Sequence, residues 1–155
     1  MRRSDAAHQN LAEFDDLVDF RDFNTHGLQL TTMNKDKRMS VNKQIVQKYM
    51  DAFTKLDHEE VLSCLTDDVE WIIPGMFHVT GKAAFDKEIE NDAFVGKPAI
   101  TVTRMFEENG VVIAEGKVRC AKKDGGILDV VFCDVFEMKD AKIQRLISYL
   151  MEIKG

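Results

Sequence analysis

Asp134 is the residue whose surroundings say most about chemistry. It stands in Val130-Val131-Phe132-Cys133-Asp134-Val135-Phe136, a β-branched and aromatic run that reads as a strand. Side chains alternate faces along a strand, so Asp134 shares its face with Phe132, Phe136 and Met138. A carboxyl group on an apolar face loses water, and desolvation favours its neutral form. A neutral carboxylic acid can donate a hydrogen bond to an oxygen that gains negative charge in a reaction. The competing reading is a structural one, in which Asp134 caps a backbone group or pairs with a nearby Arg or Lys. Tyr49 comes second: it falls on the apolar stripe formed by Val41, Ile45, Val46, Met50 and Phe53, and a buried phenol seeks a hydrogen-bond partner. A core tyrosine whose hydroxyl reaches the surface would fit the same pattern.

Other residues are weaker candidates. His78 follows a strand that ends at Pro74-Gly75, and it would be an acid or base at a pocket mouth or a solvated loop histidine. Glu115 and Arg119 fall on one face of their strand, as a ligand-facing pair or an exposed ion pair. Trp71 and Ile73 are expected to line a pocket together with Phe132 and Phe136, or to fill the core. The four histidines, His8, His26, His58 and His78, are scattered and do not read as a metal set. No Gly-rich phosphate loop, His-Glu-x-x-His or Gly-x-Ser-x-Gly occurs, so no cofactor and no metal are implied. Cys64, Cys120 and Cys133 match no paired zinc spacing and are an odd number, and Cys120 and Cys133 lie in apolar segments, which reads as free buried thiols in a reducing compartment.

The elements that must position these residues begin at Ser40. Helical periodicity runs from Val41 to about Leu56. Asp57-His58-Glu59-Glu60 opens a second, short helix to about Leu65, with an acceptor at the cap and Glu at the third helical position. Val69 to Ile73 is a strand, and Thr80 caps a third helix from Gly81 to about Asn91. Four strands follow: Ile100 to Glu107, Val111 to about Ala121, Ile127 to Met138, and Lys142 to Ile153. Asn109-Gly110, Asp124-Gly125-Gly126 and Lys139-Asp140-Ala141 turn the chain between them. The order α-α-β-α-β-β-β-β makes an α+β fold, in which a curved antiparallel meander wraps around the helices and leaves a concave mouth.

Ile45-Val46-Gln47-Lys48-Tyr49, Ala52-Phe53, Asp57, Thr66-Asp67-Asp68 and Pro74-Gly75 together resemble the helical half of ketosteroid isomerase, and Asp134-x-Phe136 resembles its last hairpin. Over about residues 41–153 the chain is similar to the nuclear transport factor 2-like superfamily of SnoaL-like and ketosteroid isomerase-like proteins. The resemblance implies a cone-shaped half-barrel. It also implies an oxyanion hole made by Tyr49 and a protonated Asp134, which fall on the two positions that serve this purpose in ketosteroid isomerase. The family's general base does not carry over, because Ile73 stands where an aspartate precedes the proline. The acid that SnoaL-like cyclases place in the last strand is also missing, since the stretch here is Tyr149-Leu150-Met151.

The whole-chain totals are consistent with a ligand-binding domain. The 155 residues suffice for one domain with a real core, and 45% hydrophobic with 31% charged residues is a globular balance. A formal net charge of −6 argues against nucleic-acid and anionic-membrane partners. No apolar run approaches the length of a membrane helix, and Met1-Arg2-Arg3 leads into no apolar segment, so a cytoplasmic protein is expected. Its partners are then a small-molecule ligand and, through the outer face of the meander, a second copy in a homodimer. The expected function is either a cofactor-free isomerase, cyclase or lyase, or a ligand-binding or dimeric interaction module without turnover.

Residues 1–38 are largely polar, without a valine or isoleucine run apart from Leu17-Val18; Phe14, Leu17, Val18 and Phe20 would make one short amphipathic helix, and the stretch ends in the charged run Asn34 to Arg38. They read as a disordered or loosely attached leader to a domain spanning 39–155. A chain starting at Met39 is therefore expected to melt cooperatively in calorimetry within about 8 °C of the full-length midpoint, a window that corresponds to roughly 1 kcal/mol. A larger drop would assign the leader a part in the fold.

Overall fold

The structure is a computed structural model that describes residues 39–154. The leader, the short helix expected in it, His8 and His26 lie outside the described residues.

Helix α1 spans Val41–Lys55. Ser40 caps it by accepting from the Lys43 N–H at 3.2 Å, and the periodic stripe buries Val46, Tyr49, Met50 and Ala52. Leu56 ends the helix in the left-handed region at φ 55°. Helix α2, His58–Ser63, starts as the capping pattern predicts, with the Asp57 carboxylate accepting from the Glu60 N–H at 3.0 Å. Strand β1 covers Leu65–Ile73 and β2 covers Phe77–Thr80. Helix α3, Lys82–Ile89, follows. Strands β3 (Phe94–Glu108), β4 (Val111–Lys122), β5 (Ile127–Lys139) and β6 (Lys142–Glu152) complete the chain.

Four sequence expectations need correction. The stretch after Pro74-Gly75 is a strand rather than loop: β2 pairs antiparallel with β1, opposing Ile73 to Phe77 and Trp71 to Val79. A four-residue strand is too short for its alternation to stand out from a loop. Thr80 therefore ends β2 instead of capping α3, and Gly81 at φ 84° takes the cap position with no side-chain hydrogen bond. The sheet is also mixed. Its order is β2-β1-β6-β5-β4-β3, and β1 runs parallel to β6, with Trp71 opposite Leu146 and Ile72 opposite Ile147. The four-strand meander is antiparallel as expected. β3 begins six residues earlier than Ile100, where register breaks between Val95 and Ala99 hide its period. Asn109 and Gly110, at φ 50° and 76°, form the tight turn the dipeptide predicts.

The sheet is curved and unclosed, with β2 and β3 as its two edges. Its concave side takes α1 and α3, and the core between them includes Val46, Leu65, Phe85, Val112, Phe136, Ile143 and Leu146, each at most 1% exposed. A residue pair at the α1 N-terminus fixes that helix to β3, since the Ser40 hydroxyl and the Asn42 amide both donate to Glu107. Among the described residues no helix is long and apolar enough to cross a membrane.

Candidate functional site

The helices do not fill the concave side of the sheet. Between them and the inner face lies a cavity of about 590 Å³, within the range of small-molecule sites. Strand β5 supplies one wall through alternate residues, Leu128, Val130, Phe132 and Asp134. At roughly 3.3 Å per residue this wall runs about 20 Å from rim to floor. Aromatic rings form the inner end. Trp71 stacks on Phe85 at 4.7 Å between centroids and meets Phe77 edge-on at 5.1 Å. Tyr49 meets Phe136 edge-on at 5.6 Å. Gly116 on β4 lies against the Phe132 ring. A Cβ there would lie 2.2 Å from the Thr101 carbonyl oxygen and 2.6 Å from the Phe132 ring, so only glycine lets that ring lie back against β4.

Asp134 is 8% exposed and sits on this apolar wall. Its Oδ1 is buried and has no hydrogen-bond partner among the described residues. Burial raises the carboxyl to about 7, with the Ser148 hydroxyl beside it pulling the other way. Tyr49 lines the same cavity. Burial, and after it the charge of Asp134, holds its phenol well above the usual tyrosine value, so it stays a neutral donor. No direct hydrogen bond joins the two side chains.

The structure gathers Tyr49, Asp134, Trp71, Ile73 and Phe132 around the cavity. Phe136 lies one step deeper, fully buried beneath the Tyr49 ring, and supports the floor without facing the opening. His78 and Glu115 are elsewhere. His78 alternates with Phe77 and Val79, so when Phe77 turns inward His78 turns out, where it pairs with Glu70 at 2.8 Å. Glu115 opposes Cys133, one residue off the Asp134 register, and therefore sits on the outer face in an ion pair with Arg104. Arg119 does not join it but forms a two-pronged pair with Asp129 at 2.7 and 2.8 Å. The thiols also differ from expectation: all three are free, but Cys64 is the buried one, while Cys120 on the cavity side and Cys133 on the outer side are half-buried.

Ser148 is the residue that sequence reading missed. It is 4% exposed, lies directly opposite Asp134 in the β5–β6 ladder, and accepts a hydrogen bond from the Trp71 indole N–H at 3.1 Å. A serine between Leu146 and Leu150 on one strand face was the available signal. Only the β5–β6 register reveals its neighbour.

The profile of the SnoaL-like domain family matches residues 46–146, and the chain belongs to that family. No curated protein sequence matches it. Among solved structures, an LEH-like epoxide hydrolase of M. tuberculosis superposes with a TM-score of 0.64 at 17% identity, over 72% of this chain and 83% of that one. TerC, co-crystallised with polyporic acid, gives a TM-score of 0.65 at 21% identity over 70% and 90%. A protein of ketosteroid isomerase-like fold from Catenulispora acidiphila, in complex with trimethylamine, gives 0.63 at 16% identity over 68% and 84%. These likenesses establish the α+β fold of the nuclear transport factor 2-like type.

The raised Asp134 carboxyl has a consequence for stability. The folded protein holds that proton more tightly than the unfolded chain, whose aspartate titrates near ~3.9. The stabilisation is complete below that value and is lost as pH rises through about 7. His58, raised by hydrogen bonds to Asp86 and Glu90, acts in the same direction, so the comparison must be differential. Between pH 5 and 8, urea unfolding is expected to show wild type losing about 2–3 kcal/mol more than Asp134→Asn. Parallel pH profiles would mean that Asp134 is not a buried neutral acid.

Proposed function

We propose that this cavity binds a small, largely apolar molecule through a carbonyl or phenol oxygen that meets Asp134 and Tyr49. The observation that carries the reading is a buried carboxyl, one oxygen of it unpartnered, on the wall of a largely apolar cavity that Glu88, Glu90, Asn91, Lys97 and Ser148 also line. Burying a polar group without a partner is unfavourable, and a ligand oxygen would supply the missing hydrogen bond. Two neutral donors facing one oxygen would also stabilise an enolate, which suits a cofactor-free isomerase, cyclase or lyase.

Ile73 supports the second reading, binding without turnover. It lines the cavity at the position where the resemblance would place a general base, and an isoleucine takes no proton. The net charge of −6 fits a cytoplasmic protein that meets neither nucleic acid nor membrane. The outer sheet face carries Tyr149 and Met151, 51% and 69% exposed, which fits a homodimer built on that face. Sedimentation at micromolar concentration is expected to show a dimer that Met151→Lys weakens; a monomer at that concentration would rule it out.

Substituted phenols and cyclic ketones are expected to raise the melting temperature of the wild type. Asp134→Asn should retain most of that binding, because an amide imitates a neutral acid, whereas Asp134→Leu should weaken it about tenfold or more. Equal affinity in all three proteins would remove Asp134 from the site. Loss of ketone α-proton signals in D2O would mark turnover, and its absence with retained binding would select the second reading.

A further inference from the structure

Asp134 Oδ1 is buried without a partner, yet a hydroxyl faces it across the ladder. Ser148 is its cross-strand neighbour, and both residues line the cavity. The Ser148 oxygen already accepts the Trp71 indole N–H at 3.1 Å. An indole nitrogen only donates, so Trp71 occupies a lone pair of Ser148 and leaves the serine's own proton to be given elsewhere. The neighbouring surfaces offer that proton little else: β4 presents Ala114 opposite Asp134, and β6 continues with Leu146 and Leu150.

We propose that Ser148 is a positioning residue, which Trp71 orients so that its hydroxyl donates to one carboxyl oxygen of Asp134 and leaves the other for a ligand in the cavity. The relay runs from β1 through β6 to β5, three adjacent strands of the sheet, and it fixes a carboxyl group that would otherwise turn about its last torsion. A donated hydrogen bond favours the carboxylate over the acid, so Ser148 opposes the effect of burial and keeps Asp134 within a range where its proton can move. The other titratable groups acting near Asp134 are Tyr49 from α1 and Cys133 on its own strand, both shifted upward and hence neutral through that range. The relay deepens the binding reading above but does not need a ligand to be tested.

Trp71 is the only tryptophan, so its indole N–H gives one resonance that reports on the relay. In the ligand-free full chain, that resonance is expected to shift with pH at the midpoint seen for the Asp134 carboxyl carbon. Ser148→Ala should make the indole insensitive to this titration and move the Asp134 midpoint upward by about half a pH unit or more. Ser148→Thr should restore both. If Ser148→Ala does not fold, Trp71→Phe serves instead and should also raise the Asp134 midpoint. An indole titration that survives Ser148→Ala, or an Asp134 midpoint unmoved by the substitution that folds, would overturn the relay. Phenol binding by a protein whose indole does not titrate would reject the relay and leave the binding reading standing.

Discussion

The burial of one carboxyl group in an apolar sheet face is the constraint around which the rest of the site is arranged. Charged, Asp134 would be costly where it stands; neutral, it needs a hydrogen-bonding partner. Both conditions follow from strand geometry, because the period of two that aims Phe132 and Phe136 at the concave side aims Asp134 there as well. The same ladder sets Ala114 on one flank and Ser148 on the other, a small residue that leaves space and a hydroxyl that can answer the acid.

The aromatic groups make that environment dry. Trp71 touches Phe53, Phe77 and Phe85, and Tyr49 touches Phe53, Phe85 and Phe136, so α1, α3, β1, β2 and β5 meet in one set of ring contacts. Offset and edge-on pairs of this kind add stability beyond the area they bury. They also leave the two polar tips, the phenol and the indole N–H, at the cavity end of the core. Three charged pairs on the strands lie outside the cavity: Glu70 with His78, Arg104 with Glu115, and Arg119 with Asp129. Exposed pairs such as these contribute little individually. Their role is to mark which face of each strand looks outward.

Much of this was legible in the sequence, for reasons that can be named. The β5 alternation is long, and the face that runs from Leu128 to Met138 contains one acid among apolar residues, so Asp134 and its face could be read directly. The Tyr49 stripe, the Asp57 cap and the Asn109-Gly110 turn rest on local chemistry and hold in the structure. What was not legible depends on partners distant in the chain. Strand β2 is too short to show a period. His78 and Glu115 were plausible until the alternation of their own strands was anchored by Phe77 and by the Glu115–Cys133 pairing. Ser148 looked ordinary because its meaning comes from β5 on one side and β1 on the other.

The parallel pairing of β1 with β6 has a temporal consequence. Trp71 and Ser148, in hydrogen-bond contact, are 77 positions apart in the chain. The meander of β3, β4, β5 and β6 is built from neighbouring hairpins and can form locally, but β1 must wait for β6, the last strand made. During synthesis the helices and β1 therefore leave the ribosome before the surface they cover exists, and long-range closure of this kind is slow. Until β6 is in place, the ring cluster on Trp71 lacks part of its wall and remains open to water. Loss of β6 as far back as Ser148 would consequently reach the centre of the pocket, whereas a change in the β4–β5 turn would stay at the rim.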